Sequence, residues 1–193
     1  MDEIIELLKE FEGISSKAAK GIFFEVMTSK TKKEKLIEVI NKISKNFSIC
    51  KKCFFYKNEN ICGFCDNQSR DKKIICVVSF LTDAQKIYDS NFKGLIHVLN
   101  GEINIVKNIH PENLKIPDLF ARINMETEII LALNLTFEGE VTASFLGAKL
   151  KDKCRSISRI ARGIPMGGVL DYIDKETIDD AIVNRKEIQN KKR

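Results

Sequence analysis

The sequence predicts an α/β fold class within a multi-domain α+β chain, and three observations carry that reading. Apolar residues recur at helical spacing from Ile4 to Phe47. Four cysteines then follow as two Cys-x2-Cys pairs, Cys50/Cys53 and Cys62/Cys65. Beyond Ile74, short β-rich runs alternate with helical stretches. Such alternation implies βαβ units and a mostly parallel sheet covered on both faces.

Taken in order, Ile4, Ile5, Leu7, Leu8 and Phe11 mark a first helix over residues 2–11, which Gly13 ends. Ser15 or Ser16 caps a second helix through Ala18, Ala19, Ile22, Phe23, Val26 and Met27. A third runs from about Thr31 to Phe47, with Leu36, Ile37, Val39, Ile40 and Ile43 on its apolar side. After the cysteine module at 50–65 comes a polar connector at 66–73. The predicted strands are 74–78, 95–99, 128–133 and 156–160, and helices are predicted over 82–88, near 117–124, over 138–150 and over about 174–188. This divides the chain into a helix-hairpin-helix region (1–49), a four-cysteine finger with its connector (50–73), a parallel-sheet domain (74–168) and a C-terminal helical segment (169–193).

The cysteine spacing has a direct chemical meaning. Each Cys-x2-Cys forms a knuckle, and the eight residues between Cys53 and Cys62 can reverse the chain so that four thiolates surround one ion. Two disulfides would be the other use of four cysteines, but the chain has neither a basic secretory leader nor a cysteine-dense composition. One structural Zn²⁺ per chain is therefore expected. A closed four-sulfur site leaves no open coordination position, so this ion folds the protein rather than catalysing. Cys76 and Cys154 read as small core residues.

Composition narrows the class further. No apolar run approaches the roughly 18 residues that span a bilayer, which predicts a soluble, cytoplasmic protein with no membrane partner. The net charge of +5 is uneven: residues 1–57 carry +4, residues 149–193 carry +5 and residues 72–148 carry −2. Basic ends around an acidic middle suit a nucleic-acid binder whose central domain does something else. Solvated helix faces and a basic tail, Lys191-Lys192-Arg193, would give the same distribution.

Three segments could carry chemistry. In Phe11-Glu12-Gly13-Ile14-Ser15-Ser16-Lys17-Ala18-Ala19-Lys20, a glycine bend leads into a helix N-terminus. Amides there can bind a backbone phosphate, with Lys17 and Lys20 as charge partners. An ordinary helical corner with exposed lysines is the plainer reading, and a Cβ at Ser15 would hinder phosphate approach and disfavour positive φ. In Asn134-Leu135-Thr136-Phe137-Glu138-Gly139-Glu140, two carboxylates follow a strand end, where parallel sheets place functional groups. They could hold Mg²⁺ or simply favour the dipole of the helix they open. Catalysis would need a further acid on a neighbouring strand end, and after Val78 stands Ser79. Ala161-Arg162-Gly163-Ile164-Pro165-Met166-Gly167-Gly168 lacks a phosphate-binding Gly-Lys-Ser/Thr and reads as a turn or a subunit contact.

The order of these parts resembles the bacterial recombination protein RecR family over nearly the whole chain. The matches are the four cysteines, Arg70-Asp71 leading into Ile75-Cys76-Val77-Val78, Gly94-x-x-His97-Val98-Leu99-x-Gly101, Thr136-x-Glu138-Gly139-Glu140-x-Thr142-Ala143, and Ala161-Arg162-Gly163-Ile164-Pro165-x-Gly167-Gly168. The resemblance implies a non-catalytic Toprim-like central domain and a homo-oligomer, a ring tetramer that clamps DNA. It implies double-stranded DNA and single/double-strand junctions as ligands. It also implies RecO, and in some settings RecF, as partners in helping RecA displace single-strand-binding protein at gaps. Glu138 and Glu140 become partner-contact residues, and 169–174 a Walker-B-like assembly stretch. The chain departs from the family in four places: Ser15 in the hairpin, Gly21 where a basic residue is usual, Ser79 in place of an acid, and the loop Ile103-Asn104-Ile105-Val106-Lys107-Asn108. A Mg²⁺-dependent Toprim nuclease or topoisomerase-like enzyme using Glu138 and Glu140 is the rival expectation. A protein-interaction module without DNA binding is another.

Overall fold

The protein is described here from a computed structural model, which covers residues 1–185. The end of the last predicted helix at Ile188 and the tail Lys191-Lys192-Arg193 lie outside the described residues. The described residues form two units: Met1–Ile49 with Tyr56–Ile61, and Cys50–Phe55 with the described residues from Cys62 on.

The first unit holds α1 (Asp2–Lys9), α2 (Ser16–Thr28), α3 (Lys30–Asn46) and the antiparallel strands β1 (Phe47–Ile49) and β2 (Tyr56–Asn58). A short β3 (Ile61–Cys62) leads into the second pair of cysteines. Gly13 takes the left-handed turn at φ +84°, as its lack of a Cβ allows. Ser15 sits at φ −72°, ψ 161°, with its Oγ accepting from the Ala18 amide at 3.2 Å. The hindrance expected of a serine there therefore does not arise through backbone strain, since an N-cap needs extended geometry and a side-chain acceptor. Ser29 caps α3 in the same way, from Lys32 at 3.3 Å. The predicted third helix is one residue too long at its end: Phe47 opens β1 and pairs with Asn58. Three-residue strands are too short to show a period of two, which is why this ribbon is invisible to periodicity.

The second unit is a four-stranded parallel sheet in the order β5-β4-β6-β7. Its strands are β4 (Asp71–Val78), β5 (Gly94–Val98), β6 (Glu128–Leu131) and β7 (Ser156–Arg159). Ile75 is level with Leu95 on one side and Ile129 on the other, and Ile129 is level with Ile157. The helices are α4 (Leu81–Tyr88), α5 (Ile116–Phe120), α6 (Phe137–Leu150) and α7 (Lys175–Val183). Ile75, Val77, Ile129 and Leu131 share one sheet face and pack with Leu119, Leu146 and Leu150 from α5 and α6. Cys76, Val78, Ile96 and Val98 alternate to the other face and are buried as well. Burial on both faces explains why β4 reads as a continuous apolar run rather than an alternation.

Because all four strands run the same way, their C-terminal ends form one edge, which carries Ser79, Glu102, Asn134 and the start of α6. Leu146 is fully buried in the cluster beneath that edge. Leu146→Ala should lower the unfolding free energy by about 2–5 kcal/mol. A urea titration that shows almost no change would place Leu146 outside the core.

Candidate metal centre and sheet-edge carboxylates

Cys50, Cys53, Cys62 and Cys65 come together with their sulfurs all within 4.8 Å of one another. A tetrahedron of ~2.3 Å metal–sulfur bonds has edges of about 3.8 Å, so these sulfurs need little movement to ligate one ion. Cys50, Cys53 and Cys62 are buried, and Cys65 is partly so. Among the described residues no other group of three or more ligating side chains is close enough to share an ion. The knuckles are closed by backbone bonds. The Phe54 amide donates to the Cys50 carbonyl at 2.9 Å, the Cys50 amide donates to the Phe55 carbonyl at 2.7 Å, and the Cys65 amide donates to the Cys62 sulfur at 3.4 Å. Cys53 and Cys62 sulfurs lie 3.5 Å apart. Hydrogen bonds from Cys53 and then Cys65 hold the Cys62 thiol far below its ordinary range, while the same contact raises Cys53. One of the four sulfurs, Cys62, is thus favoured as a thiolate, and a soft divalent ion would stabilise the charge of the others. The donor set fits a structural metal.

The knuckles are fixed to the edge strand β5. The Val98 amide donates outward to the Cys53 carbonyl at 2.9 Å, capping a group that an edge strand would otherwise expose. Arg70 donates from Nε to the Gly63 carbonyl at 3.1 Å, and from Nη1 to Phe92 at 2.9 Å and Gly94 at 3.2 Å. Its guanidinium lies 4.3 Å from the Phe64 ring centroid and 5.5 Å from that of Tyr88, and the rings of Phe55, Phe64 and Tyr88 pack together with centroids 5.1–5.7 Å apart.

His97, to which the sequence assigned no partner, lies fully buried under Phe54. Arg122 Nη1 sits 2.9 Å from its Nδ1, and a guanidinium can only donate, so the ring proton is on Nε2 and is given to the Lys115 carbonyl at 2.7 Å. Burial pushes its pKa down to about 4. Cys76 and Cys154 are buried, as expected of core residues, and burial raises both thiols, Cys76 to about 12.

At the sheet edge the two motif carboxylates are held apart in role. Thr136 caps α6, with Oγ1 accepting from Gly139 at 3.2 Å, and both Glu138 and Glu140 lie in its first turn. Glu138 accepts from Asn104 Nδ2 at 3.1 Å. Glu140 accepts from Arg159 at 2.7 Å and Arg162 at 3.3 Å. Arg162 also reaches Glu176 at 3.3 Å and Asp180 at 3.4 Å, linking the α6 start to α7. Glu102, which the sequence reading did not single out, is the carboxylate nearest Ser79. It accepts from Ser79 Oγ at 2.5 Å, from the Asn134 amide at 3.2 Å and from Thr136 Oγ1 at 3.3 Å. A side chain at Gly139 would fall on the Asn134 carbonyl, so the turn between β6 and α6 requires glycine there. Only the parallel register, not the linear order, brings positions 79, 102 and 134 together. Lys17 and Lys20 lie exposed on α2, three residues apart, and neither forms an ion pair among the described residues.

A parallel sheet with an acidic strand-to-helix turn, preceded by a four-cysteine knuckle, defines a Toprim-domain protein with a metal-binding finger. The Toprim domain family matches residues 73–161, and the family described as RecR, C-terminal, matches residues 163–186. The chain is 38% identical to the recombination protein RecR of Rickettsia bellii, covering 94% of this chain and 93% of that protein. It is 35% identical to RecR of Cytophaga hutchinsonii, covering 98% and 95%, and 35% identical to RecR of Syntrophobacter fumaroxidans, covering 96% and 94%. The chain belongs to the RecR family.

Removing the metal with a chelator, or substituting Cys62→Ser, should lower the melting temperature, because binding energy of the ion is folding energy for both knuckles. An unchanged melting curve would show that the sulfurs stabilise the fold without an ion. For His97, the unfolded ring titrates near 6.5 and the folded ring near 4, so on acidification the unfolded state takes up a proton that the folded state refuses. Its contribution is present above about pH 6.5 and falls by about 2 kcal/mol between pH 7 and pH 5. His97→Gln should flatten the stability–pH curve by that amount in this window, the thiolate contribution being common to both proteins. Parallel curves would mean that His97 is not buried neutral.

Proposed function

We propose that this chain is a zinc-bearing, non-catalytic DNA clamp of recombinational repair. In this reading it acts in the cytoplasm with RecO and, in some settings, RecF, to help RecA load at single-stranded gaps. Its working form is a homotetrameric ring, and its ligands are double-stranded DNA and single/double-strand junctions. Membership of the RecR family supports this reading. So does the four-sulfur cage, whose soft, closed donor set suits Zn²⁺.

The observation that carries the non-catalytic part is the commitment of the edge carboxylates. Glu140 is neutralised by two arginines, Glu138 is bonded by Asn104, and Glu102 is engaged by three donors. Mg²⁺ chemistry needs carboxylate oxygens turned toward a shared point, and these are turned toward separate partners. Glu138 and Glu140 serve instead as a contact for the protein partner. Lys17 and Lys20 neutralise DNA phosphates beside the Gly13 turn.

A plasmid assay tests the reading. Supercoiled DNA incubated with the protein and Mg²⁺ should be retarded, then regain its original topology when the protein is stripped away. Nicked or relaxed DNA, lost in Glu138→Gln, would establish a Toprim enzyme instead. Replacing Lys17 and Lys20 by Ala should weaken retention several-fold with little change in melting temperature. Retention that is unaffected would remove these lysines from the DNA path.

A further inference from the structure

We infer that the tip of the first cysteine knuckle is a second nucleic-acid contact, in which Lys51, Lys52 and Lys115 bind the phosphate backbone. This rests on the DNA-binding reading above and adds a site on the α/β unit, distinct from Lys17 and Lys20 on α2.

Residues 50–55 form a closed loop, pinned by the bonds from Phe54 to Cys50 and from Cys50 to Phe55, with Lys51 and Lys52 exposed at its tip. The loop is further held by two ligating sulfurs and by the Val98–Cys53 bond. Lys115, partly exposed, approaches the same loop: its Nζ lies 5.1 Å from the Phe54 ring centroid. Its backbone is fixed by a bond from its amide to Leu99 at 2.9 Å and by His97 on its carbonyl. None of the three lysines forms an ion pair among the described residues, whereas Lys73 elsewhere on this unit is paired with Glu126 at 2.8 Å. The acid on the other knuckle, Asp66, is engaged by the Cys62 amide at 2.8 Å. Three ammonium groups on or beside this pinned loop, with no carboxylate bonded to them, offer cationic charge to a phosphodiester chain and carry no means of reading bases. Holding the backbone in advance also reduces the entropy lost on contact.

The same lysines could serve only to balance the charge of a four-thiolate metal centre, and the two roles give different readouts. The full-length, metal-loaded protein is titrated with single-stranded and duplex oligonucleotides over a range of salt concentrations, as wild type, Lys51→Ala/Lys52→Ala, Lys115→Gln and Lys17→Ala/Lys20→Ala. Metal content and melting temperature are measured on each. The inference predicts that Lys51→Ala/Lys52→Ala lowers the slope of log affinity against log salt by about 2 on duplex, and Lys115→Gln by about 1, with metal retained. An unchanged slope in both variants, while Lys17→Ala/Lys20→Ala loses slope, would overturn the knuckle contact and leave the DNA-binding reading standing. Loss of metal from Lys51→Ala/Lys52→Ala together with an unchanged slope for Lys115→Gln would assign the lysines to charge balance and overturn it as well. A wild-type protein that binds neither DNA form would overturn both readings.

Discussion

Four sulfur atoms placed to share one cation bring two short loops together beside the edge of a parallel sheet. The loops contribute little apolar surface away from Phe55 and Phe64, so without a metal their closure would have to offset the loss of backbone freedom almost alone. From these loops Cys53 caps the Val98 amide, Phe54 covers His97, and Gly63 presents its carbonyl to Arg70. Each of these contacts reaches β5, which like β7 has only one neighbour in the sheet. The knuckle thus covers part of the free side of β5, at the Val98 amide and over His97.

The opposite consideration governs the acidic edge of the sheet. Carboxylates at strand ends are a common way to hold a divalent ion, yet here every one of them has a donor from the protein itself. Arg162 is the centre of this arrangement, since it touches Glu140 on α6 and both Glu176 and Asp180 on α7. The charge of Glu140 is shared with Arg159 and Arg162, and Arg162 ties α7 to the start of α6. Ion pairs at half-exposed positions contribute modestly to stability, so their value lies in fixing the orientation of Glu140.

Much of this was legible in the sequence, for identifiable reasons. The cysteine pairs, the βαβ alternation and the serine cap of α2 each depend on local spacing, and each is found where the spacing put it. What was not legible depends on register. Glu102 was passed over because Ser79 is the residue that follows Val78 in the chain, while Glu102 lies in the loop beyond the neighbouring strand β5. His97 looked partnerless because its donor and acceptor, Arg122 and Lys115, are 25 and 18 residues away. The β1–β2 ribbon was missed because three residues cannot display a period. The reading of Ala161–Gly168 as a turn holds at Gly167, whose φ is +83°, but Arg162 within it proved to be the link between α6 and α7.

The central claim is that the metal centre holds not only its own knuckles but the edge of the sheet. Amide hydrogen exchange, followed by mass spectrometry on the metal-loaded and chelated protein, tests it most directly. The account predicts that chelation removes protection from residues 94–98 of β5 together with residues 50–65, while β6 keeps its own. Loss of protection confined to 50–65, with β5 unchanged, would show that the sheet edge stands without the metal and would contradict the account.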